Sequence, residues 1–185
     1  MLDISDVLVV LDQLDRAGLV VWLDGGWGVD ALLGRHSRPH QDLDLVIDRD
    51  DCAVVQAALA GLGFQDDPTA VPGWPAQLLL VDDGGRRVDL HVVVFDGHGN
   101  GWQELGGGAW GAYPAEGLTG VGLVGGRQVR CLTPQLQVRH HLGYPLDATD
   151  RLDLGLLAER FGVAVPPVVQ LSAGGQRPDR SSDPP

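Results

Sequence analysis

Residues 25–45 read GGWGVDALLGRHSRPHQDLDL, and the fold turns on how the two ends of this stretch relate. It opens on a glycine pair and closes on Asp42 and Asp44, with Arg38 and His40 just ahead of the acids. Immediately upstream, LVVWL (19–23) is a short apolar run ending at Asp24-Gly25-Gly26, the pattern of a buried strand leading into a turn. GVDALLG (28–34) then reads as a short helix closed near Gly34. QDLDLVID (41–48) alternates, which sets Asp42 and Asp44 on one face of a strand and Leu43 and Leu45 on the other. The order is strand, Gly-Gly turn, helix, acid-bearing strand.

Working outward, Ile4, Val7, Leu8, Leu11 and Leu14 share one face of a helix over 3–17, with Asp3 or Ser5 to cap it and Gly18 to end it. DDCAVVQAALAGLG (50–63) reads as a second helix and leaves through a proline-rich connection. AQLLLVDD and RRVDLHVVVF flank Gly84-Gly85 as a hairpin would, and on its second strand Asp89 and His91 share a face. Residues 97–126, rich in glycine and tryptophan, carry no regular pattern and are long for a connector, so a substrate-facing loop and a surface insertion both fit. QVRCL suggests a further strand, Thr133-Pro134 opens a helix to about His141, and RLDLGLLAERFG (151–162) makes another. The expected division is a core over 1–96, the glycine-rich region 97–126, a C-terminal strand and helices over 127–164, and a disordered tail over 165–185.

At 185 residues and 44% apolar, the chain suffices for one ordinary core with a small helical appendage. The formal charge is -12 and all 13 basic residues are arginine, so a phosphate backbone would be repelled and nucleic acid is a poor partner. No apolar run reaches the roughly 18 to 20 residues of a membrane span, and no signal-peptide pattern opens the chain; the expectation is a cytoplasmic protein without a membrane partner. Cys52 and Cys131 lack metal-like spacing and read as buried thiols.

Three strand carboxylates, Asp42, Asp44 and Asp89, carry the chemistry. Like charges a few ångströms apart must be protonated or neutralised, and a divalent cation does the latter. Hard oxygen ligands suit Mg²⁺, and a two-metal site about 3.5 to 4 Å across would clamp both oxygens of an in-line phosphoryl transfer. A glycine turn ahead of a helix lets backbone N–H groups approach a polyphosphate.

WLDGGWGVDALLG, RPHQDLDL, VDLH, VRCLTP and HLGYPLDATDRLDL together resemble the short, single-domain lincosamide nucleotidyltransferases of the superfamily that includes DNA polymerase beta. Aminoglycoside 2''-nucleotidyltransferases share the first two blocks and the Arg-Cys segment less closely. The likeness runs from about residue 19 to residue 157, weakest over 65–85 and the glycine-rich region. It implies an α/β mixed-sheet core with a small C-terminal helical part, and an enzyme that moves a nucleoside monophosphate, AMP from ATP or its counterpart from another NTP, to a small-molecule hydroxyl with release of pyrophosphate. On the matching positions Asp42 and Asp44 would hold Mg²⁺, and Asp89 would complete the metal site or take the acceptor's proton. Gly25, Gly26, Trp27, Arg38 and His40 would face the nucleotide, and His91, Tyr144 and Trp110 the acceptor. Pairing as a homodimer is also implied. The alternatives are an aminoglycoside acceptor, or an idle nucleotide-binding module of the toxin-antitoxin kind, against which the three intact acids argue.

Overall fold

The computed structural model describes residues 1–69, 72–73, 75–142 and 144–166. From residue 167 onward, the tail expected to be disordered lies outside the described residues. In chain order the elements are α1 (Ile4–Arg16), β1 (Trp22–Leu23), α2 (Gly25–Leu33), β2 (Asp42–Asp48), α3 (Cys52–Ala60), β3 (Gln65–Asp66), β4 (Gln77–Val81), β5 (Arg87–Phe95), β6 (Gly101–Gly106), β7 (Ala109–Tyr113), β8 (Gly120–Val124), β9 (Arg127–Cys131), α4 (Pro134–His140) and α5 (Ala148–Phe161). Among the described residues no helix is long and apolar enough to cross a membrane.

The strands form a mixed sheet in the order β3-β4-β5-β2-β1-β9-β8, with β6 and β7 as a hairpin carried by the far end of β5. Strand β2 runs parallel to β5 and antiparallel to β1, while β1 runs parallel to β9. The alternation of β2 decides which face is core. Leu43, Leu45 and Ile47, with Val88, Leu90 and Val92 of β5, are buried beneath Val7, Leu11 and Leu14 of α1 and Val55 and Leu59 of α3. Each such side chain stabilises the fold by roughly 1.5–3 kcal/mol relative to exposure. The opposite face is left to Asp42 and Asp44, supported from one end by a smaller cluster of Val46, Val93, Tyr113, Leu118, Leu132 and Leu136. A third cluster, built on Val29, Val138, Leu154 and Leu157, docks the C-terminal helices against α2.

Three expectations about the elements need correction. Gly25 and Gly26 are not a turn ahead of the helix but its first turn: Asp24 is the N-cap, its Oδ1 accepting from the Gly25 N–H at 2.7 Å. Residues 97–126 are not an irregular loop either; they supply the β6–β7 hairpin, a short 3₁₀ turn and β8. Several of these glycines mark close packing, which leaves no periodic apolar signal. A Cβ on Gly122 would lie 2.3 Å from the backbone of Ala31 in α2. The last helix also starts earlier than the pattern suggested, capped by Asp147 in a reciprocal box with Asp150.

Candidate active site

Register brings the acids together. In the parallel β2–β5 ladder Asp44 stands directly beside Asp89, with Asp42 two residues back on the same face. A one-residue slip of β2 would send Asp42 and Asp44 into the apolar layer. The glycine pair closes on them from the β1 side: a Cβ on Gly25 would lie 2.2 Å from Asp44 Oδ2, and Gly25 has φ +52. The Asp24 N–H donates to the Asp44 carbonyl at 3.0 Å, tying the start of α2 to β2.

His91 follows Asp89 on the same face. Its Nε2 lies 3.4 Å from Asp44 Oδ1 and 4.0 Å from Asp89 Oδ2, and its Nδ1 lies 3.4 Å from the Gln103 side-chain amide. Gln103 is itself fixed: its Nε2 donates to the Ala76 carbonyl at 3.0 Å and its Oε1 accepts from the Tyr113 hydroxyl at 3.0 Å. His140 meets the Tyr113 ring edge-on at 4.5 Å and pairs through Nδ1 with Asp24 Oδ2 at 3.2 Å. On the other flank, Gln77 Nε2 donates to Asp89 Oδ2 at 2.5 Å, while Asp89 Oδ1 is buried without a partner. Beside Asp42 and Asp89 a cavity of about 460 Å³ opens toward Thr69, Gly73, Gln77 and Arg87.

The electrostatics follow from this crowding. Burial pushes the Asp89 carboxyl up to about 6; His91 opposes the shift, and the charges of Asp44 and Asp42 add to it. Asp42 is raised as well, by burial first and then by Asp44. Burial works to discharge His91, but the hydrogen bond to Asp44 and the charges of Asp24, Asp44 and Asp89 outweigh it and push its pKa up to about 9. Burial also works against Asp24, yet the charge and hydrogen bond of His140 hold it down to about 2. Ligand atoms of Asp44, Asp89 and His91 lie within 4.8 Å of one another. A bare buried oxygen on Asp89, together with carboxylates raised by burial and by one another's charge, fits a site built around a divalent cation.

The other expected residues divide. Arg38 reaches α5, where Nε and Nη2 grip Asp153 at 3.0 and 2.6 Å, and its Nη2 would lie 2.6 Å from a Cβ on Gly26. His40, 2% exposed, donates through Nε2 to Asp30 Oδ2 at 2.6 Å and packs its Nδ1 beneath Gly26; it backs the glycine pair from within the fold rather than lining an open pocket. Trp27 is a correction. It is 1% exposed and stacked on His36 at 5.1 Å, so its ring belongs to the core and presents no face to a base. Tyr144 is 46% exposed with its hydroxyl donating to Asp150. Trp110 sits on β7 opposite Glu104, in the hairpin rather than beside the acids. Sequence reasoning missed Asp24, Gln77, Gln103, Tyr113 and His140. Only Asp24, directly ahead of the glycine pair, carried a local signal.

A mixed sheet bearing paired strand acids beside a glycine-led helix places the chain among the nucleotidyltransferases. The chain belongs to the aminoglycoside-2''-adenylyltransferase family, whose sequence pattern matches residues 6–157. It is similar to a lincosamide resistance protein of Staphylococcus haemolyticus, 26% identical over 81% of this chain and 91% of that one. A 54-residue stretch is 37% identical to a 2''-aminoglycoside nucleotidyltransferase of Escherichia coli, covering 29% of this chain and 30% of that one. Among solved structures, the lincomycin-bound lincosamide antibiotic adenylyltransferase LnuA superposes with a TM-score of 0.71 at 26% identity, over 82% of this chain and 93% of that one. The fold is shared with ANT(2")-Ia in complex with adenylyl-2"-tobramycin, at a TM-score of 0.68 and 20% identity, over 84% and 87% of the two chains.

Proposed function

We propose that this protein transfers a nucleoside monophosphate, AMP from ATP, to a hydroxyl of a small-molecule antibiotic, a lincosamide first, with release of pyrophosphate. The observation that carries the reading is the meeting of Asp42, Asp44 and Asp89 on one sheet face with Gly25 pressed against Asp44. Mg²⁺ takes oxygen ligands, so the three carboxylates would hold it, and when bound it offsets charge on the transferring phosphoryl group. The first turn of α2 leaves N–H groups without intrahelical partners, and its positive end suits a triphosphate. Arg38, held against Gly26 by its ion pair with Asp153, brings guanidinium N–H donors there. Asp89, with one oxygen held by Gln77 and the other bare, completes the metal set or receives the acceptor's proton.

The similarity to the lincosamide resistance protein and to lincomycin-bound LnuA, over 81% and 82% of this chain, supports a lincosamide acceptor. An aminoglycoside is the second reading, favoured by the family and by the formal charge of -12, which suits a polycation. We also carry pairing into a homodimer. Strand β8 ends the sheet with Val121 and Leu123 exposed, and light scattering of the purified chain measures the pairing.

The test is acceptor profiling by pyrophosphate release, with ATP and Mg²⁺, on the wild type and Asp42→Asn. Lincomycin-dependent release in the wild type and none in the variant is expected. Release with tobramycin alone would favour the second reading, and an equally active variant would remove the mechanism.

A further inference from the structure

Further along α2 from the glycine pair, a second group of metal-binding side chains converges on Asp30. It shares no residue with the cluster of Asp44, Asp89 and His91. Asp30 is 2% exposed, so its charge has to be met inside the fold. Its Oδ1 accepts from the Ser37 N–H at 3.0 Å and from the Ser37 hydroxyl at 2.5 Å. Its Oδ2 faces two imidazoles, with His40 Nε2 at 2.6 Å and His36 Nε2 at 3.9 Å.

Two imidazoles and a carboxylate are a donor set for Zn²⁺, and His36 and His40 stand three residues apart, within the usual spacing of zinc-binding histidine pairs. Zn²⁺ holds such atoms at about 2.0–2.2 Å, which puts neighbouring ligand atoms of a tetrahedron about 3.3 Å apart. The 2.6 and 3.9 Å separations lie on either side of that value, and the three ligand atoms lie within 4.8 Å of one another. Less than about 1 Å of movement therefore closes the site. His36 is free to supply it, since its side chain is 34% exposed and follows the end of α2 at Gly34. Trp27 guides the ring, stacked on His36 at 5.1 Å, and the two imidazole rings stand 5.4 Å apart. The ion would take the place of the hydrogen between His40 Nε2 and Asp30 Oδ2. The imidazole proton then passes to His40 Nδ1, which has no hydrogen-bond partner among the described residues. Water on the exposed side of His36 completes the four ligands.

We propose that Asp30, His36 and His40 form a second metal site, one for Zn²⁺, separate from the carboxylate cluster. The imidazoles select against Mg²⁺, which takes oxygen ligands, in favour of a softer ion. Bound there, Zn²⁺ ties α2 to the connection that leads into β2. That connection carries Arg38, gripped by Asp153 beside Gly26, so the ion steadies the segment behind the glycine pair. The assignment is independent of the proposed nucleotidyl transfer and is read without an activity assay.

The test takes the full chain without a histidine tag, in excess Mg²⁺ to fill the carboxylate site, with Co²⁺ as a spectroscopic probe and Zn²⁺ by calorimetry. The wild type is expected to bind a single equivalent of Co²⁺ with the strong visible absorption of four-coordinate cobalt, and to lose it when Zn²⁺ is added. With Zn²⁺ at about a hundredfold excess over Kd it should melt about 5–10 °C higher. His36→Gln, at an exposed position, is expected to lose the cobalt absorption and to bind Zn²⁺ at least about 100-fold more weakly. His36→Cys replaces one ligand by another, so it should keep the four-coordinate absorption and add a sulfur-to-cobalt charge-transfer band. It carries the test alone should His36→Gln not fold. A wild type without four-coordinate cobalt overturns the site, leaving Asp30 and His40 as a plain hydrogen-bonded pair. Cobalt absorption retained by His36→Gln, or no sulfur band in His36→Cys, places the ion elsewhere and overturns it equally.

Discussion

Gly25 has no room for a side chain, and two separate costs fall on any replacement. Its φ of +52 is a left-handed conformation that costs other residues about 1–2 kcal/mol. A Cβ there would also lie 2.2 Å from Asp44 Oδ2, so the carboxylate would have to turn away. Gly25→Ala is expected to melt below the wild type and to bind Mn²⁺ at least about tenfold more weakly by calorimetry; wild-type Mn²⁺ affinity would break the proposed link between the glycine and the metal ligand. Asp89 supplies a pH test in metal-free protein. Its folded pKa is raised from the ordinary 3.8 to about 6, so the group's contribution is present below about pH 4 and lost as pH rises through 6, at most about 3 kcal/mol. Asp89→Asn should therefore melt with the wild type at pH 4 and above it at pH 7 in the presence of a chelator. Superimposable melting at both values would contradict the burial and repulsion assigned to this carboxyl. The three acids were legible because period-two alternation shows which residues share a face. Gln77 and Gln103 were not, because a neutral amide at a strand start or inside a glycine-rich stretch carries no sign of the partner it will meet.

At the scale of elements, the strand, helix and strand around the opening stretch followed from alternation and capping, but the boundary at the glycines did not. Asp24 caps the helix one residue before Gly25, so the pair begins α2 instead of preceding it. Glycine has two uses that look alike in a sequence, conformational freedom and close approach, and 97–126 reads as irregular because the second use was invisible there. Gly122 on β8 shows the difference. Its φ is not in the left-handed region, yet an added Cβ would lie 2.3 Å from the carbonyl of Ala31, forcing β8 away from α2. Gly122→Ala is expected to lower stability by about 1–3 kcal/mol, the usual cost of overpacking, read from the urea midpoint. An unchanged midpoint would mean that the α2–β8 contact yields easily.

Across the whole molecule, the fold separates support from chemistry. Helices α1 and α3 bury the leucine face of the sheet, and the opposite face is left free for acids that would destabilise any core. Helix α5 reaches the same region through Asp153, 1% exposed, which grips Arg38 beside the glycine pair. The chain's overall acidity thus has a local counterpart in a face of carboxylates moderated by His91 and His140. The most direct measurement of the central claim is the mass spectrum of lincomycin after incubation with the protein, ATP and Mg²⁺. A product heavier by one AMP residue, formed by the wild type and absent with Asp42→Asn or without Mg²⁺, is the expected result. Lincomycin recovered at its original mass from the wild-type reaction, with tobramycin also unmodified under the same conditions, would contradict it.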